Sequence, residues 1–112
     1  MRFMTFGRLD ETKPDAYSPS PEVYQAVAAL SEEMKQAGAL VDTHGLAPSS
    51  QGARVAVQGG TRTVARGPFT DASGMISNFA ILEAASLEEA LEWAARFADC
   101  VGQEIEVRKL TY

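Results

Sequence analysis

The stretch Ile76-Ser-Asn-Phe-Ala-Ile-Leu-Glu-Ala84, followed by Ser86-Leu-Glu-Glu-Ala-Leu-Glu-Trp-Ala94 and Glu104-Ile-Glu-Val-Arg-Lys-Leu110, decides the fold of this chain. Its first run is apolar and rich in β-formers, which predicts a long strand. Ser86 with Glu89 three residues on is a capping box, in which each side chain satisfies an orphan backbone N–H at the start of a helix. Leu87, Ala90, Leu91, Ala94 and Ala98 then recur at helical spacing and are expected to form a buried stripe, widened by Trp93 and Phe97. The last run alternates, with Ile105 and Val107 on one face of a closing strand.

Upstream, Arg54-Val-Ala-Val57 and Arg62-Thr-Val-Ala65 flank Gln58-Gly-Gly-Thr61. A Gly-Gly pair between β-prone runs predicts a hairpin, because both turn positions then accept positive φ. Before it, Ala39–His44 reads as a strand ended by Gly45 and the Pro48–Gly52 loop. Val23, Ala26, Val27, Leu30, Met34 and Ala37 mark an earlier helix, N-capped by Ser20, with Pro21 at its first position and Gly38 as its stop. Residues 2–7 alternate as a strand. Asp10–Pro21 carries three of the five prolines and reads as an exposed loop.

The order is β-α-β, an inserted hairpin, then β-α-β. Two such units with helices on one sheet face predict an α+β, ferredoxin-like βαββαβ sandwich over residues 1–112 as one domain. The opposite sheet face is left open, with Phe3, Phe79 and Ile81 expected there, so a homodimer packed sheet to sheet is expected.

The chain has 112 residues, 46% of them hydrophobic, enough for one core and not two. One cysteine, Cys100, and one histidine exclude an internal disulfide and a Cys/His zinc site, so no metal or cofactor is expected. Cys100 reads as a buried, inert thiol. Neither a secretory leader nor a membrane span is legible, which suits a soluble protein of the reducing cytoplasm. A net charge of −5 disfavours nucleic acid and anionic membranes.

That charge is unevenly spread. Between Asp42 and Asp71 no acidic residue occurs, while His44, Arg54, Arg62 and Arg66 all fall in the window. Such a feature suits a small anion. Arg66 and Asp71 bracket the Gly67-Pro68-Phe69 turn, and an arginine fork binds carboxylate or phosphate in bidentate fashion. Arg54 and Arg62, on the two hairpin arms, are expected to join Arg66 if the register puts them on one face. Tyr17 is a candidate lid or loop anchor, with Tyr24 beside it. His44 is the natural general base, since the ordinary imidazole titrates near neutrality. Opposed to these readings is an ordinary solvated hairpin with a surface Arg66–Asp71 pair.

Val64-Ala-Arg-Gly-Pro-Phe69, Phe79-Ala-Ile-Leu-Glu83, the helix from Ser86 and the strand from Glu104 together resemble the DGPF family of YCII-related proteins. The resemblance implies a small bacterial cytoplasmic dimer of α/β-barrel type, with a cleft beside the turn. In that family the first signature residue is typically aspartate, where this chain has Arg66, and a second acidic residue follows near the place of Asp71. YCII-like proteins also carry a His-Asp pair with the histidine on the first helix, where this chain has Val23, Val27 and Leu30. Three functions stay open: binding of a small anionic metabolite around Arg66, a regulatory module contacting a protein partner, and acid-base catalysis by His44 with Asp71.

Overall fold

The computed structural model describes residues 1–69 and 74–112, so Asp71 lies outside the described residues. Eight main elements follow in order: β1 (Arg2–Leu9), α1 (Pro21–Gln36), β2 (Leu40–Gly45), β3 (Ala53–Gln58), β4 (Thr61–Arg66), β5 (Met75–Glu83), α2 (Leu87–Val101) and β6 (Glu104–Lys109). A single 3-10 turn, Ser49–Gln51, sits in the loop before β3.

Four strands form one sheet in the order β2-β5-β1-β6, every neighbouring pair antiparallel. Both helices pack on one face, α1 toward β2 and α2 over β6 and β1. This α+β arrangement is compatible with a ferredoxin-like fold.

The helix signals act as the sequence implies. The Ser20 hydroxyl accepts from Val23 N, and Pro21 occupies the first turn, where its missing N–H costs nothing. The Ser86 hydroxyl accepts from Glu89 N, while the Glu89 carboxylate reaches one residue past the cap to accept from Ala85 N at 2.8 Å. Gly102 ends α2 in the left-handed region at φ 67°.

The core has two parts. Leu30, Met34, Ala39 and Leu82 pack with Leu40, Ala80, Trp93 and Phe97 between α1, α2 and the sheet. Phe3, Ala84 and Ala90 pack with Val107 under α2. Phe3 is only 2% exposed, so it belongs to this core and not to the open face. Its register partner Leu82 points the same way, and Met4, Phe6, Phe79 and Ile81, one residue out of phase, supply the open face instead. The α2 stripe is narrower than its spacing implies: Ala90 and Ala94 are buried, but Leu87 and Leu91 are 44% and 46% exposed.

Two bulges decide which way polar residues point. Leu40 pairs with Leu82 and Asp42 with Ile81, so Val41 is an extra residue on β2. Simple alternation from Leu40 would turn Asp42 and His44 toward the helices; the bulge turns them to the open face. On β5, Gly7 pairs with Asn78 and Arg8 with Ile76, which leaves Ser77 as the extra residue, and its hydroxyl bonds the Gly7 carbonyl at 3.2 Å.

The β3–β4 hairpin forms its own two-stranded sheet, and every residue in it is exposed. Gly59 and Gly60 take φ of 56° and 81°, the paired positive values the turn requires. The radius of gyration, 15.8 Å, exceeds the roughly 13 Å of a globule of this length because the hairpin projects.

Candidate functional site

A cleft of about 650 Å³ opens where loop 10–20 and α1 meet the ends of β2 and β5. Val23, Val27 and Phe97 line it with apolar surface, and Thr43, Asn78 and Gln103 supply hydrogen-bonding groups. Tyr17 and Tyr24 also border it. Among the described residues its lining includes one carboxylate, Asp15, and no lysine or arginine.

One polar group on its wall is held firmly. Asn78 donates to the Ser77 hydroxyl at 3.0 Å, and that hydroxyl lies 3.2 Å from Gln103 Oε1. The Asn78 carboxamide lies across β1 over Gly7, where a Cβ would stand 2.3 Å from Nδ2. Gly7 is therefore the slot that lets Asn78 lie flat. Ser31, Thr43, Asn78 and Phe97 also border a smaller cavity of about 30 Å³, enough for roughly one water.

Of the residues singled out in the sequence, Tyr17 and His44 border this cleft, whereas Arg54, Arg62 and Arg66 are absent from its lining. Ala53 pairs with Arg66, Val57 with Arg62 and Arg54 with Ala65, and directly opposed residues share a face. Arg62 and Arg66 thus lie with Val55, Val57 and Val64 on one face of the hairpin, and Arg54 on the other. The signal is present in the sequence: a two-residue Gly-Gly turn sets Gln58 opposite Thr61, and counting back along both arms separates Arg54 from the other two. His44 borders the cleft, but its imidazole is turned to the open face, 5.7 Å from the Phe79 ring, with Nε2 3.1 Å from Asp42 Oδ1.

Glu11, unmarked by any motif in a proline-rich loop, organises the turn region. Its carboxylate accepts from Ser49 N at 2.7 Å, the Ser49 hydroxyl at 2.6 Å and the Tyr17 hydroxyl at 2.8 Å. Ser49 Oγ in turn accepts from Phe69 N at 3.1 Å, and the Arg54 guanidinium stacks 3.9 Å above the Phe69 ring. Gly67, whose bond to Pro68 is cis, donates to the Gly52 carbonyl at 2.9 Å. The Arg66-Gly67-Pro68-Phe69 turn is thereby tied to loop 10–20 through one buried serine. Tyr17 thus holds loop 10–20 through its bond to Glu11 and also stands at the cleft edge.

Burial and the Glu11 carboxylate push the Tyr17 hydroxyl up to about 12. The unfolded chain releases this proton near pH 10 and the folded chain near 12, so the stabilisation is full below pH 10 and is lost as pH rises to about 12. Tyr17→Phe is expected to lower stability by about 1 kcal/mol at pH 7, with the deficit shrinking across that alkaline window. Urea midpoints of both proteins at pH 7, 10 and 12 check this; a deficit that does not change with pH would refute the Glu11 contact.

No helix among the described residues is long and apolar enough to cross a membrane. Among them there is also no group of three or more His, Cys, Asp or Glu side chains placed to hold a metal. The YCII-related domain matches residues 1–110. This chain therefore belongs to the YCII-related family. No curated protein matches it.

Proposed function

We propose that this YCII-related domain is a cytoplasmic homodimer that binds a small, uncharged molecule, part apolar and part hydrogen-bonding, in the cleft beside Asn78. The observation that carries this reading is the Asn78 carboxamide, held in the slot left by Gly7 in a cleft whose apolar lining includes Val23, Val27 and Phe97. An amide offers both a donor and an acceptor and favours neither sign of charge. At about 650 Å³ the cleft is within the usual range for small-molecule sites. The Arg66-Gly67-Pro68-Phe69 stretch sets the chain nearest the DGPF branch of its family on this reading.

The anionic ligand that the acid-free window suggests is less well supported, because Arg54 diverges from Arg62 and Arg66 and the cleft lining has no cation among its described residues. The dimer is supported by the open sheet face, where Met4, Phe6, Phe79 and Ile81 stand together. A regulatory protein partner in place of a small ligand is the competing reading.

A thermal-shift panel of neutral amides and alcohols, carboxylates and phosphates tests the proposal. A ligand at 100 times its dissociation constant adds about 2.7 kcal/mol of stability. Neutral compounds are expected to stabilise wild type, Arg66→Ala and His44→Ala alike, and to lose their effect in Asn78→Ala and Gly7→Ala. Stabilisation by anions alone, abolished by Arg66→Ala, would restore the arginine site. Silence across the panel would favour the protein partner.

A second reading rests on Asp42, whose Oδ1 lies 3.1 Å from His44 Nε2 on the open face; Asp71, the carboxylate expected from the sequence, lies outside the described residues. Such a pair fits a general base at the seam of the dimer. Loss of the neutral-ligand shift in His44→Ala would transfer the chemistry to it.

A further inference from the structure

The hairpin presents an apolar face that its own protomer does not cover. Val55, Val57 and Val64 are 65%, 68% and 55% exposed, and all three lie on the face that carries Arg62 and Arg66. An isolated two-stranded hairpin is marginal in water, so three valines on its outer face call for a partner surface. Arg62 and Arg66, four residues apart along one strand, are separated by about 13 Å.

The matching surface is on α2. Leu87 and Leu91, one turn apart, form an exposed apolar ridge. They are turned away from α1, since Arg96 pairs with Glu33 of α1 on the other side of the helix. Glu88, Glu92 and Asp99 continue around the helix as an exposed acidic strip, about 16 Å long at the helical rise per residue. Among the described residues, none of these three, nor Arg62 or Arg66, has an ion-pair partner. Apolar surface and opposite charge are therefore matched at a similar spacing, on an acidic protein whose hairpin face is basic.

The two surfaces cannot meet within one chain's sheet order, because the hairpin joins β2 to β5 at one end of the sheet and α2 covers β6 at the other. They can meet between two copies. When open faces pack about a two-fold axis parallel to the strands, β2 of one protomer lies across from β6 of its partner. We infer that the β3–β4 hairpin is an arm that grips a second copy of this chain, with Val55, Val57 and Val64 on the partner's Leu87–Leu91 ridge and Arg62 and Arg66 against its acidic strip. This rests on the sheet-to-sheet dimer proposed above and adds what closes it.

Two single-cysteine proteins, Val57→Cys and Leu91→Cys in a Cys100→Ser background, are mixed and treated with a short bismaleimide. The arm predicts that the mixed pair dominates over either self-pair. Sedimentation equilibrium supplies an independent arm of the test: Arg62→Glu with Arg66→Glu is expected to raise the dimer dissociation constant about tenfold, and adding Glu88→Arg with Glu92→Arg to restore it. All four side chains are exposed, so folding is not at stake. A dimer of unchanged affinity without the mixed cross-link overturns the arm and leaves the sheet-to-sheet dimer standing. Self-pairing of Val57→Cys alone places hairpin against hairpin and also overturns it. A monomer at every concentration overturns both.

Discussion

Gly67→Ala is expected to cost about 3 kcal/mol, at the upper end for a single substitution, because the change puts a methyl group into backbone and not into a movable side chain. A Cβ on Gly67 would stand 1.7 Å from the Ser49 carbonyl oxygen and 2.5 Å from its carbon. Neither atom can rotate away. Relief requires the Ser49–Gln51 turn and the base of the hairpin to separate, which breaks the Gly67 N to Gly52 O bond and the Phe69 N to Ser49 Oγ bond together. The Arg54 stack on Phe69 goes with them. Gly45→Ala is the control, since nothing lies within 4 Å of a Cβ there and the strand conformation suits alanine. Urea midpoints should fall for the first and hold for the second, and amide exchange in Ala53–Arg66 should accelerate only in the first. A Gly67→Ala protein of wild-type stability would show that the turn does not rest on Ser49.

The same turn shows what a sequence can and cannot disclose. Strands, helices and caps are legible because each rests on local chemistry: a hydroxyl before a helix, a Gly-Gly pair between β-formers, apolar residues at three- and four-residue steps. Side-chain direction on β2 is not. One extra residue, Val41, reverses Asp42 and His44 from the helix side to the open side, and nothing in Leu40-Val-Asp-Thr-His44 marks a bulge. Phe3 falls on the unexpected face for a related reason, since a lone alternating strand has two equivalent phases until its neighbours are known. The cleft is assembled from loop 10–20, α1, β2, β5 and Gln103, segments far apart in the chain, so no motif could announce it. The hairpin faces are the opposite case. Register alone separates Arg54 from Arg62 and Arg66, and the two-residue turn already determines that register.

Glu11 is the second position at which a single change should be costly, and it is the one that composition hides, in a segment whose prolines and charges read as solvated loop. Its carboxylate accepts from Ser49 N, from the Ser49 hydroxyl and from the Tyr17 hydroxyl. Bonds to a charged acceptor contribute about 1.5–3 kcal/mol each where the donor is otherwise left unpaired, and part-exposed donors recover some of that from water. Glu11→Ala is therefore expected to cost about 2–3 kcal/mol. Glu11→Gln keeps the shape but supplies only one oxygen, and its amide would donate toward Ser49 Oγ, which already accepts from Phe69 N. The serine proton then has no acceptor, so the glutamine variant should fall between alanine and wild type. Because the knot joins loop 10–20 to the turn, losing it should free Tyr17 at the cleft edge as well as loosen the hairpin base. Chemical denaturation of Glu11→Ala, Tyr17→Phe and the double variant separates these effects: once Glu11→Ala is in place, adding Tyr17→Phe should cost almost nothing, since the bond it removes is already gone. Additive losses in the double variant would show that Tyr17 and Glu11 act independently, and the knot would dissolve into unrelated surface contacts.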